Sequence, residues 1–309
     1  MQQFLALRFM HLIPTVLGVT IFVFLMMQAL PADPITAQLA RTEIDLSEEQ
    51  IQEIRVRYGL DRPLHIQYLT WLGNIFRGDW GISYHIGGDI ATLLSRNIGP
   101  TVELSVIGLL ITIVFGIPLG VISAVKHGSW LDSISTVLAT IGIAMPGFWL
   151  GLMLMWLFAI SLGWLPIYGM GSLRHLILPG VTLGIAGVAI VARMTRSSLV
   201  EILGLDFIRT ARAKGLTERA VIYKHGLRNA MIPVITIVTL SLGRLLSGAI
   251  IIENVFGRSG LGRLGVRAVM ERDYPVVQAT VLLIALAVVG ANLVADIAYG
   301  LVDPRIRYD

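Results

Sequence analysis

Long apolar stretches alternate with polar segments along the whole chain, and this alternation is its dominant pattern. A hydrocarbon core about 30 Å thick requires roughly 20 apolar residues in a helix. The pattern therefore predicts six membrane-spanning helices. They fall within residues 9–30, 99–125, 134–162, 176–196, 232–252 and 276–301. The third stretch is long for one upright helix, and Pro146-Gly147 predicts a kink or a short helix leading into the span.

The polar section 31–97 follows the first span and contains two predicted helices. The first lies between Ser47, which matches a capping box with Gln50, and Gly59, which ends the helix. The second covers residues 64–76 and carries aromatic side chains typical of a membrane interface. We expect a small helical section on the outer surface, and a flexible loop is the alternative.

A polar segment rich in arginine, residues 199–233, separates the fourth and fifth spans. We call it the arginine-rich segment. Its periodicity predicts two short helices: Asp206 caps the first, Gly215 ends it, and Thr217 caps the second. Pro233 is expected in the first turn of the fifth span, where proline is tolerated. An ordinary solvated loop is the competing interpretation.

Basic residues are distributed unevenly among the short connecting segments. Twelve lie on the side of the chain termini and five on the opposite side. The long section 31–97 is set aside, because long translocated segments follow the positive-inside rule poorly. This asymmetry predicts that both termini and the arginine-rich segment are cytoplasmic. The first span has no signal-peptidase site after it, so we expect it to be retained.

Composition supports the same class of protein. Of the 309 residues 55% are hydrophobic and only 14% are charged, and the mean hydropathy is +0.76; soluble chains carry about 25% charged residues. The absence of cysteine excludes disulfides and thiolate metal sites. The net charge is +4, but no soluble domain is long enough to bind nucleic acid.

The chain contains no P-loop, because none of its three lysines follows the required glycine pattern, and it contains no HExxH or GxSxG motif. Arg244 lies near the middle of the fifth span, where a charge is costly unless it faces water or a partner. It either lines a transport path and faces a solute carboxylate, or pairs structurally with Asp296, Glu253 or a neighbouring subunit. Glu103 is expected to be a structural partner.

Short motifs across nearly the whole chain resemble the permease subunits of ABC importers for dipeptides, oligopeptides, glutathione and nickel. The resemblance is strongest in the C-terminal half, at ARMTRSS (192–198), RTARAKGL (209–216) and HGLRNAMIP (225–233). Further matching stretches are LPADP (30–34), YGLDRP (58–63), GDWG (78–81), PTVEL (100–104), RDYPV (272–276) and DPRIR (303–307).

This resemblance implies an all-α polytopic membrane protein with six transmembrane helices and the type I ABC importer permease fold. Residues 1–30 are then the N-terminal cytoplasmic end and first span, and 31–97 an extracytoplasmic helical section. Residues 98–302 are the permease core with five spans and the coupling loop 199–233, and 303–309 are a cytoplasmic tail. The implied location is the bacterial cytoplasmic (inner) membrane.

The resemblance also implies the partners: a second homologous permease, two cytoplasmic ABC ATPases that bind ATP and magnesium, and an extracytoplasmic solute-binding protein. This chain would itself be neither an enzyme nor a cofactor protein. The coupling loop of the family maps onto Asp206, Arg209, Thr210, Ala211, Arg212, Ala213, Lys214, Gly215, Leu216, Arg228, Asn229 and Pro233. Where the general pattern begins Glu-Ala-Ala, this chain has Arg209-Thr210-Ala211.

The favoured solute is a peptide, and glutathione and nickel remain open. A self-sufficient secondary transporter is the rival class. It would need carboxylate relays or paired broken helices, whereas this sequence offers a single central charge.

Overall fold

A computed structural model of the chain describes residues 2–28, 48–57, 61–85 and 87–302. Most of these residues are helical, and one isolated β-bridge joins Ile82 and Asp89. The first helices are α1 (Gln2–Gln28), α2 (Glu48–Arg57), α3 (Leu64–Phe76), α4 (Ile90–Val125), α5 (Trp130–Ala144) and α6 (Gly147–Ser161). They are followed by α7 (Arg174–Leu203), α8 (Asp206–Ala213), α9 (Glu218–Val255), α10 (Leu261–Met270) and α11 (Tyr274–Val302).

Within these described residues, five helices are long and apolar enough to cross a membrane: α1, α4, α7, α9 and α11. The bent pair α5–α6 supplies the sixth span if it crosses as one unit. The two helices meet at 107°, which confirms the predicted interruption at Pro146-Gly147. Met145 is extended, as a residue before proline prefers.

The two helices predicted after the first span are present as α2 and α3. Ser47 and Gly59, the proposed cap and stop of α2, lie outside the described residues, as does the tail 303–309. The chain groups into two compact units. The first contains Thr101–Arg258 and the part of α11 from Ala287, and the second combines Leu7–Pro100 with Ser259–Leu286.

In the first unit, α4 and α7 pack backbone against backbone along a seam of glycines. A Cβ atom at Gly184 would lie 2.7 Å from the carbonyl oxygen of Gly108, and one at Gly120 would lie 2.5 Å from the carbonyl oxygen of Ala192. Thr112 on α4 donates a hydrogen bond to the Gly184 carbonyl at 3.1 Å. Such small residues allow spanning helices to approach closely. The glycines therefore allow the backbones of α7 and α4 to lie in close contact.

A buried apolar cluster joins α4, α6, α7 and α9 in the same unit. Its members are Leu104, Met155, Leu178, Leu183, Leu245, Ala249, Ile252 and Phe256. Charged groups flank this cluster. Glu103 pairs with the buried Arg258, as expected of a structural partner. The buried Glu253 accepts a hydrogen bond from Thr101 at 2.6 Å.

The second unit is held by an aromatic cluster and by a buried carboxylate. Phe24 of α1 packs against Tyr68 and Trp71 of α3, with ring centroids 5.5 and 5.9 Å away. The Tyr68 hydroxyl lies 2.8 Å from Thr20 Oγ1. Asp273 is buried and accepts hydrogen bonds from the Ser83 hydroxyl and from the amides of the next two residues. The aromatic residues of α3 thus pack on the first spanning helix.

Candidate functional site

The arginine-rich segment contains one short helix rather than two. Residues 199–203 are the end of α7, and α8 is the predicted first helix. The predicted second helix begins at Glu218, but it continues through a π-helical turn, Val221–Leu227, into the fifth span as α9. The prediction of a separate second helix was therefore wrong.

Pro233 lies inside α9. The prediction that it lies in the first turn of the fifth span was therefore wrong. A proline inside a helix removes one backbone hydrogen bond. Here Ala230 and Val234, on either side of it, are buried at 1% and 0% exposure. Tertiary packing therefore holds the helix through the proline.

The start of α8 also differs from the prediction. Leu205, in an extended conformation, occupies the N-cap position, and no side chain caps the helix. Asp206 is the first helical residue, and its carboxylate accepts a hydrogen bond from the Arg209 guanidinium at 3.3 Å. An acid in the first turn still favours the helix through its dipole.

The turn after α8 forms at Gly215, as the sequence predicts. Gly215 adopts a left-handed φ of 79°. Its amide donates to the Arg212 carbonyl at 2.9 Å, and the Leu216 amide donates to the Ala211 carbonyl at 3.3 Å. This is the Schellman arrangement, in which glycine avoids the penalty of a side chain.

Thr217 caps α9 as predicted, because its hydroxyl accepts a hydrogen bond from the Ala220 amide at 3.4 Å. Arg212 reaches across the turn and donates to both carboxylate oxygens of Glu218, at 2.8 and 3.3 Å. These hydrogen bonds raise the pKa of Arg212. The turn between α8 and α9 is therefore fixed by backbone, cap and ion pair together.

We expect Thr217→Ala to loosen this turn locally. Loss of a hydroxyl N-cap costs about 1 kcal/mol, so the first amides of α9 should exchange their hydrogens about fivefold faster. Hydrogen exchange with mass spectrometry measures this. Thr210→Ala is the matched control, because that hydroxyl only returns a hydrogen bond to the Asp206 carbonyl within its own helix. Equal exchange in both variants would contradict the cap.

The inner side of α8 is fastened to both neighbouring helices. Ile208 and Ala211 are buried and cluster with Val221 of α9 and Leu203 of α7. The two neighbouring helices also contact each other here, because a Cβ atom at Gly226 of α9 would lie 3.1 Å from Leu199 Cδ1 of α7. Because α8 contacts the end of one span and the start of the next, a displacement of α8 reaches both.

The outer side of α8 combines exposed apolar and basic side chains. The exposed apolar residues on α8 or directly beside it are Leu205, Phe207 and Leu216. Arg209, Thr210, Arg212, Ala213 and Lys214 are exposed as well. Ordinary solvated loops do not present so many large apolar side chains together, whereas protein interfaces do. This mixture favours an interaction surface over the solvated-loop interpretation.

The structure places the other predicted site residues away from the turn. Arg228 and Asn229 are exposed on α9, and Asn229 donates to the His225 carbonyl at 2.7 Å. Arg244 is also exposed, and it makes a long hydrogen bond of 3.5 Å to Ser241. Its role in a transport path stays a prediction.

A buried polar cluster centred on Asp132 escaped the sequence reasoning. Arg196 of α7 donates to both Asp132 oxygens, at 2.5 and 2.7 Å. Ser123 and the Gly128 amide donate to the same carboxylate, and His127 lies within 3.1 Å. A signal was available, because no other acidic residue occurs between Glu103 and Glu201. Among the described residues, no group of three His, Asp or Glu side chains is placed to hold a metal ion.

Comparison with known families decides the assignment. Residues 116–308 match the family described as binding-protein-dependent transport system inner membrane component, and residues 1–86 match its N-terminal region. The chain belongs to this family. It is thus a multi-pass permease of the inner membrane, and the resemblance seen in the sequence motifs is confirmed.

Curated relatives match the permease along its full length. The glutathione transport system permease proteins GsiC of Salmonella choleraesuis (strain SC-B67) and Escherichia coli (strain K12) are each 43% identical over 308 residues, covering 100% of both chains. The inward-facing MetNI methionine ABC transporter matches with a TM-score of 0.58 and 21% identity, covering 68% of the permease and 96% of that chain. An amino acid ABC transporter matches at 0.52 and 15%, covering 67% and 93%. These structures show that the fold is that of ABC importer permeases.

Proposed function

We propose that the permease forms one half of the pathway by which an ATP-driven importer carries peptides, glutathione among them, across the inner membrane. The observation that supports the solute class is the 43% identity, over the full length of both chains, to permeases named for glutathione transport. The other half of the pathway is a second homologous permease. A solute-binding protein delivers the cargo from the side opposite the arginine-rich segment.

The arginine-rich segment is the docking site for one of the two ATPases, which bind the ATP and magnesium. Its outer side offers what a protein partner needs, namely large apolar side chains at Leu205 and Phe207 beside exposed cations at Arg209 and Lys214. Arg and aromatic residues are enriched in such contacts. With the twelve-to-five distribution of basic residues, this supports a cytoplasmic location for the segment and both termini.

Transport then depends on the packing of α8 against α7 and α9. When ATP brings the two ATPases together, α8 moves with the surface on which it is docked. Ile208 and Ala211 fasten α8 to Val221 and Leu203, so the motion passes to α7 and α9 and reorients the pathway. ATP shifts this equilibrium only by as much as it binds the two states differently.

Two measurements test the proposal. The permease is expressed with its ATPases and second permease, and uptake of labelled glutathione and of a labelled dipeptide is followed with and without ATP.

Phe207→Asp should weaken ATPase binding about thirtyfold, the effect of losing one interface hot spot worth about 2 kcal/mol. Met270→Asp on α10, which replaces a side chain that is 78% exposed, is the matched control. Uptake without ATP would contradict the ATP-driven importer, and unchanged ATPase binding by Phe207→Asp would contradict the docking site.

A further inference from the structure

The Asp132 cluster joins three parts of the first unit. Asp132 lies in the first turn of α5, Ser123 near the end of α4, and Arg196 on α7. The side chain of Asp132 is only 6% exposed, and the two Arg196 nitrogens bind its two oxygens in parallel. This bidentate pairing fixes orientation as well as distance. Separating the pair would leave a buried charge without its partner, which is strongly unfavourable.

The same face of α7 continues to the arginine-rich segment. Leu199 and Leu203 follow Arg196 at spacings of three and seven residues, which place the three on one side of a helix. Leu199 is fully buried in a cluster with Ala230 of α9, and Leu203 contacts the cluster formed by α8 and Val221. An unbroken chain of contacts therefore leads from the segment along α7 to Asp132.

Elsewhere along their length, α5 and α7 make ordinary contacts. A Cβ atom at Gly142 of α5 would lie 3.6 Å from the Ala189 Cβ, which is normal van der Waals distance. Arg193 donates a hydrogen bond of 3.3 Å to Thr140, and this pair is exposed. By contrast, α4 and α7 are interlocked at their glycines. The ion pair at the first turn of α5 adds a buried, bidentate charged contact to this ordinary packing.

We infer that Asp132 is a positioning residue for coupled transport. Held by Arg196, it transmits the displacement of the arginine-rich segment from α7 to α5, and so to the third span. The inference rests on the proposed function. It identifies α5 as the helix that the ion pair moves together with α7. In its absence α7 and α9 would still respond to the ATPases while α5 would lag behind them.

The chain contains no cysteine, so pairs of introduced cysteines can carry spin labels without background from the permease itself. Labels at Val137→Cys on α5 and Ser197→Cys on α7 occupy exposed positions. In the assembled complex, the distance between them should be the same in the nucleotide-free and ATP-bound states. A change on ATP binding that exceeds the width of the distance distribution would overturn the inference, and this measurement needs no substitution at the ion pair.

The second arm substitutes the pair itself. Asp132→Ala should make the label distance depend on nucleotide, lower solute uptake about tenfold and leave ATP hydrolysis running, so that more ATP is consumed per solute imported. A merely structural role would lower both activities together. Thr140→Ala, which removes the exposed hydrogen bond between the same two helices, is the matched control and should behave as the wild type.

Co-purification in the same preparations distinguishes failure of the positioning role of Asp132 from failure of the proposed ATPase docking. If the ATPases co-purify and Asp132→Ala keeps a normal ratio of ATP to solute, the positioning role is wrong and the docking proposal stands. If no ATPase associates with the wild-type chain, the proposed function fails, and the positioning role fails with it.

Discussion

Replacing Gly215 with valine is expected to lower ATP-driven uptake about tenfold while the permease still inserts in the membrane. The residue has a φ of 79°, and a Cβ atom there would meet nothing within 4 Å. The penalty is therefore one of backbone conformation alone, about 1–2 kcal/mol for an ordinary L-residue and more for a β-branched one. Relief of that strain breaks the hydrogen bonds to the Ala211 and Arg212 carbonyls and turns α8 away from α9.

Two matched variants isolate the cause. Gly215→Asn should retain most of the uptake, because asparagine adopts left-handed conformations far more readily than valine. Gly78→Val introduces the same strain outside the arginine-rich segment, at a φ of 84° with equally open surroundings, and should leave the ratio of ATP to solute unchanged. Normal uptake by Gly215→Val, or equal loss in the Asn and Val variants, would show that this turn does not couple transport.

The second large effect is expected at the glycine seam, where Gly184→Val should destabilise the permease by about 3 kcal/mol, the upper range for overpacking. A Cβ atom at this position would lie 2.7 Å from the Gly108 carbonyl oxygen and 3.0 Å from Ile111 Cγ2. The carbonyl belongs to the backbone of α4 and cannot rotate away as a side chain can. The helices must therefore separate, and the hydrogen bond from Thr112 to the Gly184 carbonyl is lost with them.

Thermal unfolding in detergent, with the yield of monodisperse protein, measures this effect. Gly290→Val is the matched control, because it makes the same change inside spanning helix α11 and meets nothing within 4 Å. Both variants carry the intrinsic cost of a β-branched residue in a helix, so their difference reports the seam. Equal unfolding temperatures would mean that α4 and α7 do not pack as closely as described.

Much of the fold was predictable because its signals are local. The apolar stretches set where the spans lie, since a helix must be apolar over its own length to cross a bilayer. Pro146-Gly147 marked the break between α5 and α6, because proline restricts its own residue and the one before it. Gly215 and Thr217 marked the turn for the same kind of reason, since a cap binds amides or carbonyls only a few residues away.

The errors fell where distant packing outweighs a local rule. Asp206 is a good capping residue by type, yet Leu205 takes the N-cap position and no side chain caps α8. The helix is held instead by the packing of Ile208 and Ala211 against Val221 and Leu203. Pro233 should begin a helix by its chemistry, yet burial of its neighbours carries α9 through it. Sequence pattern proposes such boundaries, and tertiary contacts move them.

The sequence alone thus determined the class of protein, the number and order of its apolar spans, and the turn that follows α8. Only the tertiary structure decided which polar groups meet. Asp132 and Arg196 are 64 residues apart, and nothing local to either residue specifies that the two should pair. The physical reason is that a buried ion pair depends on how whole helices pack, whereas a turn depends only on the few residues that form it.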